Sequence, residues 1–551
     1  MSSGSFSRVG VVGLGTMGAG IAEVLARGGV EVVGIEVDRQ ALDRGRGNLE
    51  TSTGRAVKRG KLTEEGKQEI LDRIALSTEF AALAECDLVI EAVPERLDLK
   101  RRVFEELDRV CRDDAVLATN TSSLSVTDIA VTTNRPAKIV GVHFFNPAPV
   151  MKLVEVIGTV LTEDGAAGRV ANLVKSLGKT PVSIGDRAGF VANRLLFGYL
   201  NQAAGMLESG HATRDDIDAA MKAGGGLPMG PFTLMDLIGL DTCLEVLEAI
   251  YRESRDRRHA PSPLLRELVT AGLLGRKTGH GFYSYDTSAP AAEPDPIGTL
   301  AIADAPVVGV AGSGRLAAEI IMLLAWHGDA REVIYDASDE GLEDALGAIL
   351  TKEARVRRAH GRAGLADADL IIDVRGDAAS LSELAAVAPG AVLGVVAPAA
   401  PAAGLAAATG RPGDVVALNF PESWITRFAE VAPTVLSDAA AVDKAAALLR
   451  ATGITTVRCR DRAGFIVDAL RFPYLNDAAA MLGAGYADAD SIDAAMTLGC
   501  GYPSGPITDL DRLGLARVIT GLRALYAESR EQALAPTPLL EEYYTARRTL
   551  R

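Results

Sequence analysis

This 551-residue chain carries a net charge of −15 at pH 7, with 48% hydrophobic and 23% charged residues. Because a single domain usually holds about 100–200 residues, the length predicts three to five globular domains. The acidic balance argues against a nucleic-acid partner, whose phosphates are bound by clustered Lys and Arg. No apolar window of about 18 residues predicts a membrane span, and the short polar segment 1–7 does not resemble a signal peptide. We therefore expect a cytoplasmic protein.

The cysteine content argues against both a disulfide framework and a metal site. The five cysteines, at positions 86, 111, 243, 459 and 500, show no CxxC spacing. An odd number of scattered cysteines in a long chain is typical of a reducing compartment. We expect no bound metal.

The first 120 residues alternate short apolar runs with helical patterns. Strands are predicted at residues 9–13, 31–36, 87–93 and 115–119. Helices are predicted at residues 17–27, 39–59, 63–73 and 98–111. Strands that alternate with helices are typical of an α/β domain with a parallel, doubly wound sheet.

A glycine-rich turn between the first strand and the first helix predicts a dinucleotide site. Gly13, Gly15 and Gly18 have the GxGxxG spacing, in which the glycines permit a tight turn, a close approach of pyrophosphate and close helix packing. Glu36 ends the second strand 23 residues past Gly13 (36 − 13), where a carboxylate binds an adenosine ribose and repels a 2′-phosphate. We therefore predict NAD as the cofactor, although Arg39 leaves NADP open.

His143 is the candidate general base. It follows the apolar run 138–142, at the carboxyl end of a predicted strand, where open sheets bind ligands. Glu155 lies 12 residues further on (155 − 143), across a turn that contains two prolines. Two strands joined in this way bring the carboxylate to the imidazole, which fixes the tautomer and favours the protonated form.

After residue 184 the apolar residues follow helical periodicity, over 190–207 and again over 233–252. This pattern predicts an all-helical domain that ends near Tyr285. The following segment is rich in Pro and Ala, as extended linkers are. At Val307 the pattern of the first domain restarts.

Several segments return with a constant offset of 275 residues (461 − 186). Residues 186–190 reappear at 461–465, and residues 217–221 reappear at 492–496. A fixed long-range offset indicates tandem copies of one unit, each with its own core. We therefore predict Rossmann-type domains at 6–185 and 305–460, helical domains at 186–286 and 461–551, and a linker at 287–304.

The two copies differ where chemistry is expected. Asn419 takes the position of His143, although the acid is kept as Glu430. The second copy is also 18 residues shorter after its second strand (87 − 36 = 51 against 369 − 336 = 33). Its glycine motif at 312–317 ends in Ala, which leaves residual nucleotide binding open. We expect one active site per chain, in the first copy, with the second copy as a scaffold.

Three long motifs carry a family resemblance. Residues 143–157, 120–124 and 189–194 closely resemble the L-3-hydroxyacyl-CoA dehydrogenase family, and within it the bacterial 3-hydroxybutyryl-CoA dehydrogenases. The likeness covers about residues 6–286, and the second half resembles the same family in eroded form.

The resemblance implies roles for the residues around His143. His143 would take the proton of the substrate 3-hydroxyl while hydride leaves for the nicotinamide, and Glu155 would hold and polarise the imidazole. Ser122 and Asn193 would hydrogen-bond the hydroxyl or the developing ketone. The alternatives are structural, since Ser122 could cap the helix predicted at 126–130 and Asn193 could be a cap or a packing amide.

By the same resemblance, Asn146 would help to place substrate and nicotinamide, and Glu95 and Lys100 would line the cofactor cleft. Lys58, in a basic stretch at 55–61, is the candidate for the CoA phosphates. The alternative for Lys58 and Lys100 is an ordinary charge on a helix surface. In the second copy, Asp468 takes the position of Asn193 and Glu422 falls near that of Asn146, and these added carboxylates would disfavour an anionic CoA ligand.

The resulting function is NAD-dependent interconversion of short-chain (3S)-3-hydroxyacyl-CoA, such as 3-hydroxybutyryl-CoA, and 3-oxoacyl-CoA. The alternatives are 3-hydroxyadipyl-CoA, a free hydroxy acid or sugar acid, and a non-catalytic regulator that binds NAD or CoA. The acyl-CoA substrate is the expected partner. The chain is expected either to form a homo-oligomer or to pair its two copies as an intramolecular pseudo-dimer.

Overall fold

The structure is a computed structural model that describes residues 6–285, 305–327, 330–336, 342, 346, 355–397, 399–422 and 426–551. The predicted linker at 287–304 lies outside the described residues. No helix in the described part of the chain is long and apolar enough to cross a membrane. Within the same residues, no group of three or more His, Cys, Asp or Glu side chains is arranged to hold a metal.

The first half begins with an eight-stranded sheet in the order β3-β2-β1-β4-β5-β6-β7-β8. The strands are β1 (Arg8–Val12), β2 (Glu31–Ile35), β3 (Ile74–Ser77), β4 (Leu88–Glu91), β5 (Val116–Thr119), β6 (Ile139–Phe144), β7 (Leu153–Gly158) and β8 (Thr180–Gly185). All neighbours are parallel except β6 and β7. The predicted doubly wound sheet is confirmed, with one antiparallel pair added. The strand order reverses beside β1, where such sheets bind ligands.

Six helices accompany this sheet. They are α1 (Thr16–Arg27), α2 (Arg39–Lys58), α3 (Glu64–Asp72), α4 (Leu97–Val110), α5 (Val126–Ala130) and α6 (Ala166–Ser176). Three of them begin at side-chain caps, because Asp38 accepts a hydrogen bond from Ala41 N–H, Thr63 accepts one from Gly66 N–H and Ser125 accepts one from Asp128 N–H.

A helical region follows. It contains α7 (Ala192–Glu208), α8 (Arg214–Ala219), a π-helical turn (Ala220–Gly224), α9 (Pro231–Ile238), α10 (Leu240–Ser254) and α11 (Pro263–Thr270). The continuous helical pattern predicted over 233–252 is wrong in one respect. Gly239 has φ +104°, outside the helical region, so the chain turns there and α10 starts afresh.

The second half repeats this architecture. Its sheet, in the order β11-β10-β9-β12-β13-β14-β15-β16, consists of β9 (Val307–Ala311), β10 (Glu332–Asp336), β11 (Val356–Ala359), β12 (Leu370–Asp373), β13 (Val392–Val396), β14 (Val415–Asn419), β15 (Phe428–Pro433) and β16 (Thr455–Arg458). The described helices are α12 (Gly314–His327), α13 (Ala378–Val387), α14 (Ala403–Ala407), α15 (Ala439–Ala451), α16 (Val467–Gly483), α17 (Ala489–Ala494), α18 (Pro506–Leu513), α19 (Leu515–Ser529) and α20 (Pro538–Thr545). A second π-helical turn spans Ala495–Gly499.

The two halves pack against each other through their helical regions. Helix α7 lies along α16, and Arg258 forms a two-point ion pair with Asp477 at 2.8 and 3.1 Å. Each helical region also reaches the sheet of the other half, because the turn ending at Gly499 contacts β7 and the turn ending at Gly224 contacts β15. The second half therefore forms part of the surroundings of the first sheet.

Candidate active site

The glycine turn after β1 has the geometry that the motif predicts. Gly13 has φ +86°, and a Cβ there would lie 2.9 Å from the Ala92 carbonyl oxygen. A Cβ at Gly18 would lie 1.7 Å from the Gly13 oxygen, so only glycine permits the helix to pack this closely. A Cβ at Gly15 would meet no atom within 4 Å, because this residue faces open space at the start of α1. The turn can therefore accept a pyrophosphate at a helix N-terminus.

Glu36 lies at the carboxyl end of β2, beside this turn. One of its oxygens accepts a hydrogen bond from Leu14 N–H at 2.6 Å, and the other accepts one from Val37 N–H at 3.2 Å. The side chain is only half-buried, so it can still meet a ribose hydroxyl.

His143 and Glu155 form the pair that the sequence predicts. They are directly opposite each other on the antiparallel strands β6 and β7, and Nδ1 of His143 lies 2.7 Å from Oε2 of Glu155. Oε1 of Glu155 accepts hydrogen bonds from Val191 and Ala192 N–H at 3.2 Å each, at the start of α7. The carboxylate thus links the sheet, the imidazole and the helical region. Because Nδ1 faces Glu155, Nε2 is the ring nitrogen that can meet a substrate.

Two aromatic rings hold the plane of the imidazole. Phe145 lies 4.5 Å from the His143 ring, centroid to centroid, and Phe190 lies 5.7 Å from it. Phe190 has φ +47°, a left-handed conformation, and directly follows Gly189 in the repeated motif 186–190. The left-handed backbone between β8 and α7 therefore places the Phe190 ring against the candidate base. Sequence reasoning missed both rings.

Ser122 and Asn193 lie side by side, with Asn193 Nδ2 at 3.5 Å from the Ser122 carbonyl oxygen. Both are half-buried, and Asn193 follows Ala192, whose N–H binds Glu155. The helix-cap alternative for Ser122 is wrong, because Ser125 caps α5 by accepting from Asp128 N–H. Asn193 is already inside α7 and does not cap it either.

Lys100 is not a surface charge. Its side chain is 1% exposed, and its ammonium lies 2.8 Å from Glu91 and 3.3 Å from Glu95. Burial acts to raise the pKa of Glu95, but Lys100 and hydrogen bonds from Thr121, Ser122 and Ser123 outweigh it and hold the pKa below its usual value. The Glu95 carboxylate thereby fixes the loop that carries Ser122. Sequence reasoning missed Glu91, which is fully buried at the end of β4.

Asn146 and Lys58 are both exposed, and neither side chain bonds another described residue. Asn146 lies in the loop between β6 and β7, three residues from His143. Lys58 ends α2, and Arg55, Arg59 and Lys61 around it are also exposed. The structure therefore leaves this basic stretch open to solvent but does not join it to the residues around His143.

The second half contributes a wall that sequence reasoning missed. A Cβ at Gly499 would lie 2.7 Å from the Leu153 side chain and 3.3 Å from the Phe145 ring. The Tyr486 hydroxyl donates to the Gly185 carbonyl at 3.1 Å. The one sequence feature that relates to this contact is the 275-residue offset, which pairs Gly499 with Gly224 (499 − 224 = 275).

The second copy keeps the framework of the pair without the imidazole. Asn419 Nδ2 donates to Glu430 Oε2 at 2.6 Å, and Glu430 Oε1 accepts from Ile466 and Val467 N–H at 2.8 and 3.0 Å. The carboxyl group of Glu430 is thus held as that of Glu155 is in the first copy. An amide that donates to it cannot take a proton from an alcohol.

One expectation about the second cleft is wrong. The added carboxylates Glu422 and Asp468 do not leave it negatively charged, because arginines pair with both. Arg471 binds both acids, Arg512 binds Glu422, and Arg517 lies 3.2 Å from Asp468. Three arginines thus surround the two acids, so the cleft does not carry the negative charge that the acids alone would give it.

Asp336, the counterpart of Glu36 in the second copy, already has partners within the protein. Asp336 is 1% exposed, accepts from Gly361 N–H at 3.0 Å and lies 3.8 Å from Arg362. A buried, paired carboxylate is poorly placed to bind a ribose, in contrast to the half-buried Glu36.

Comparison with known proteins identifies the family of the chain. Residues 8–187 match the NAD binding domain of 3-hydroxyacyl-CoA dehydrogenase, and residues 189–285 and 464–551 match its C-terminal domain. The chain is 45% identical over 278 residues to a probable 3-hydroxybutyryl-CoA dehydrogenase of Deinococcus radiodurans, covering 50% of this chain and 100% of that protein. It is 32% identical over 535 residues to the 3-hydroxyadipyl-CoA dehydrogenase of Escherichia coli K12, covering 97% and 96%.

A solved structure also spans the whole chain. The crystal structure of 3-hydroxybutyryl-CoA dehydrogenase from E. coli K12 aligns with a TM-score of 0.77 at 31% identity, covering 98% of this chain and 99% of that one. The predicted cofactor, NAD, is confirmed by the matched NAD binding domain. The chain belongs to the 3-hydroxyacyl-CoA dehydrogenase family and is an oxidoreductase that uses NAD.

Proposed function

We propose that the chain interconverts short-chain (3S)-3-hydroxyacyl-CoA and 3-oxoacyl-CoA, with 3-hydroxybutyryl-CoA as its substrate. In this proposal the first copy alone is catalytic. The observation that carries it is the contact of His143 with Glu155 in one copy and of Asn419 with Glu430 in the other. The name of the Deinococcus relative supports the short acyl chain.

The proposed chemistry is a proton transfer coupled to hydride loss. NAD, when bound, supplies the hydride acceptor. Nε2 of His143 takes the proton of the 3-hydroxyl, and the Glu155 carboxylate stabilises the imidazolium that forms. Ser122 and Asn193 hydrogen-bond the substrate oxygen as it becomes a carbonyl. The two N–H groups of α7 hold Glu155 in position throughout the step.

The remaining assignments concern the two ligands. Gly13, Gly15, Gly18 and Glu36 bind the adenosine and pyrophosphate of NAD, as the geometry of the turn supports. Lys100, Glu95 and Asn146 are proposed to border the nicotinamide. The exposed Lys58 is proposed to bind the CoA phosphates, with the basic residues beside it.

The acyl group has a second candidate. The E. coli relative that spans nearly the whole chain is named a 3-hydroxyadipyl-CoA dehydrogenase. The solved E. coli structure, which also spans nearly the whole chain, is named a 3-hydroxybutyryl-CoA dehydrogenase. A distal carboxylate would require a cationic partner beyond His143. The rings of Phe145 and Phe190 around the imidazole instead form apolar surroundings.

A comparison of substrates tests the acyl assignment. We expect kcat/KM for 3-hydroxybutyryl-CoA to exceed that for 3-hydroxyadipyl-CoA by at least about tenfold, because an unpaired carboxylate in an apolar site costs more than 1 kcal/mol. NADH formation measured across a series of chain lengths gives the ratio. A preference for the adipyl thioester would replace the butyryl assignment and leave the role of His143 intact.

The two copies provide a matched pair of variants for the base. We expect His143→Ala to lower kcat by about 10²–10⁴-fold, the usual contribution of a general base, with little change in NAD affinity. Asn419→Ala should leave kcat within about twofold, since it removes no proton acceptor. Steady-state kinetics and NAD titration check both. Comparable losses in the two variants would mean that the halves share one catalytic site.

The buried carboxyl group of Glu430 should make the stability of the protein depend on pH. Burial raises the pKa of Glu430 to about 8, despite hydrogen bonds from Val467 N–H and Asn419. Since the folded pKa lies above the unfolded one, the stability contributed by the protonated carboxyl is lost as pH rises from about 4.5 to 8. The Glu430→Gln side chain is neutral at every pH. The melting temperature of this variant, relative to that of the wild type, should therefore rise as pH increases through this window, by roughly 5 °C or more near pH 8. Parallel stability curves for the two proteins would contradict the buried titration.

Gly499 and Gly224 test the second half as a support for the catalytic ring. Gly499→Val should push Phe145 against His143 and lower kcat by about ten- to a hundredfold, because small displacements of catalytic groups cost this much. Gly224→Val makes the matching clash in the second half, because a Cβ there would lie 2.5 Å from the ring of Phe428, on the strand that carries Glu430. It should lower the melting temperature without lowering kcat. Equal kinetic effects would rule out a positioning role for the turn at Gly499.

A further inference from the structure

A buried lysine with two acidic partners lies next to the loop that carries Ser122. The ammonium of Lys100 lies 2.8 Å from Oε1 of Glu91, 3.3 Å from Oε2 of Glu95 and 3.3 Å from the Val93 carbonyl oxygen. Glu91 is fully buried, whereas Glu95 is partly exposed. The two acids therefore share one cation.

Glu91 is held in place by the sheet. Its Oε1 also accepts a hydrogen bond from Val93 N–H at 2.6 Å, and its Oε2 accepts one from the Thr119 hydroxyl at 2.7 Å. Glu91 and Thr119 are directly opposite each other on the neighbouring strands β4 and β5. This carboxylate thus gives Lys100 a fixed partner in the interior of the first domain.

Glu95 connects the lysine to the serine loop. Its Oε2 faces Lys100, and its Oε1 accepts hydrogen bonds from the Thr121 hydroxyl at 2.5 Å, from Ser122 N–H at 2.9 Å and from Ser123 N–H at 3.0 Å. The Ser122 hydroxyl lies 3.4 Å from the same oxygen, which is long for a bond between two oxygens. Glu95 therefore fixes the backbone of Ser122 and leaves its hydroxyl able to bond another oxygen.

The second copy has the buried acid without the cation. Asp373 takes the position of Glu91, because it is opposite Val395 as Glu91 is opposite Thr119. Asp373 is fully buried and accepts hydrogen bonds from one backbone N–H and one serine hydroxyl, and no Lys or Arg among the described residues forms an ion pair with it. Burial raises the pKa of Asp373 to about 6. The second sheet thus forms with an acid at this position and no ammonium beside it.

The hydroxyls of the serine loop are also missing from the second copy. The strand register gives an offset of 276 here (395 − 119), which aligns residues 121–123, Thr-Ser-Ser, with residues 397–399, Ala-Pro-Ala. A carboxylate has no hydroxyl to hold in that segment. Within the described residues, the ion pair and the hydroxyl loop therefore occur together in the copy with His143, and neither occurs in the copy with Asn419.

The charge of Glu91 decides how strongly the lysine attracts the second acid. Replacing a buried ion pair by apolar residues is often neutral for stability, because the cost of desolvating the charges offsets their attraction. The pair of Glu91 with Lys100 is therefore better explained by what it positions. Without the charge of Glu91, Glu95 would be the only acid beside the ammonium, which would draw its carboxylate away from the serine loop.

We propose that Glu91 is a positioning residue, which acts through Lys100 and Glu95 to hold the Ser122 hydroxyl at the substrate oxygen. This inference rests on the proposed function, in which Ser122 bonds that oxygen. Glu91 does not itself meet the substrate, because its side chain has no exposed surface.

A double-mutant cycle between Glu91 and Ser122 tests the proposal, with the 3-hydroxyacyl-CoA that the wild type turns over. Glu91→Gln keeps an acceptor for Val93 N–H and removes the negative charge. We expect it to lower kcat by about ten- to a hundredfold, because small displacements of catalytic groups cost this much. In a Ser122→Ala background the same substitution should change kcat by less than about twofold, since the hydroxyl that it positions is gone.

Two further variants separate positioning from a structural role. Asp373→Asn is the matched control, because it removes the charge of the buried acid in the second copy, and it should leave kcat within about twofold of the wild type. Thr119→Val removes a hydrogen bond to Glu91 without changing any charge, and Val is the residue that the second copy has there. It should lower kcat by a smaller factor, and this loss should also disappear in the Ser122→Ala background. This variant decides the question if Glu91→Gln does not fold.

The outcomes distinguish this proposal from the proposed function. Losses of kcat that multiply in the double variants would overturn the positioning role and leave Ser122 with its assigned role. A Ser122→Ala variant with wild-type kcat would overturn both the positioning role and the assignment of Ser122. An equal loss of kcat in Asp373→Asn would mean that the buried acids affect turnover through stability alone, which also rules out positioning.

Discussion

The structure around the active site depends on one carboxylate. Glu155 uses one oxygen to bind the imidazole of His143 and the other to bind the first N–H groups of α7. It therefore fixes the tautomer of the base and, at the same time, the angle between the sheet and the helical region. The unpaired N–H groups at the start of a helix suit a negative charge, so the same contact satisfies the helix and orients the ring.

Under the proposed function, the second copy keeps the structural part of this arrangement and lacks the catalytic part. Glu430 makes the same contacts with the start of α16, and only the partner of its second oxygen changes, from imidazole to amide. The repeated motif at 186–190 and 461–465 serves the same joint. Asp186 binds the start of α5, and Asp461 binds Ala402 ahead of α14. The residues that the two halves share thus make the contacts between sheet and helices in both of them.

Much of this could be predicted because it depends on short sequence spacing. The glycine turn, Glu36 and the pairing of His143 with Glu155 follow from one strand–turn–helix unit and one pair of adjacent strands. What could not be predicted depends on residues far apart in the chain. In the sequence, Lys100 has the position of a surface charge on a helix, and only the structure shows that it pairs with the buried Glu91. Likewise, the sequence shows the acids Glu422 and Asp468 without their partners, because Arg512 and Arg517 lie 90 and 49 residues away. The break at Gly239 depends on a backbone angle that helical periodicity does not report.

Joining two copies in one chain removes a constraint that a symmetric pair of identical chains must obey. In such a pair every substitution appears in both clefts, so Asn at the base position would abolish both sites. In this chain positions 143 and 419 change independently, and the ion pairs of Glu422 and Asp468 can occupy one cleft while the other remains open. Corresponding contacts across the interface then lie next to different residues in the two halves. The turn at Gly499 faces Leu153 and the Phe145 ring next to His143, whereas the turn at Gly224 faces Phe428, on the strand that carries Glu430. The second half thus forms part of the wall around Leu153 and Phe145 in the first half.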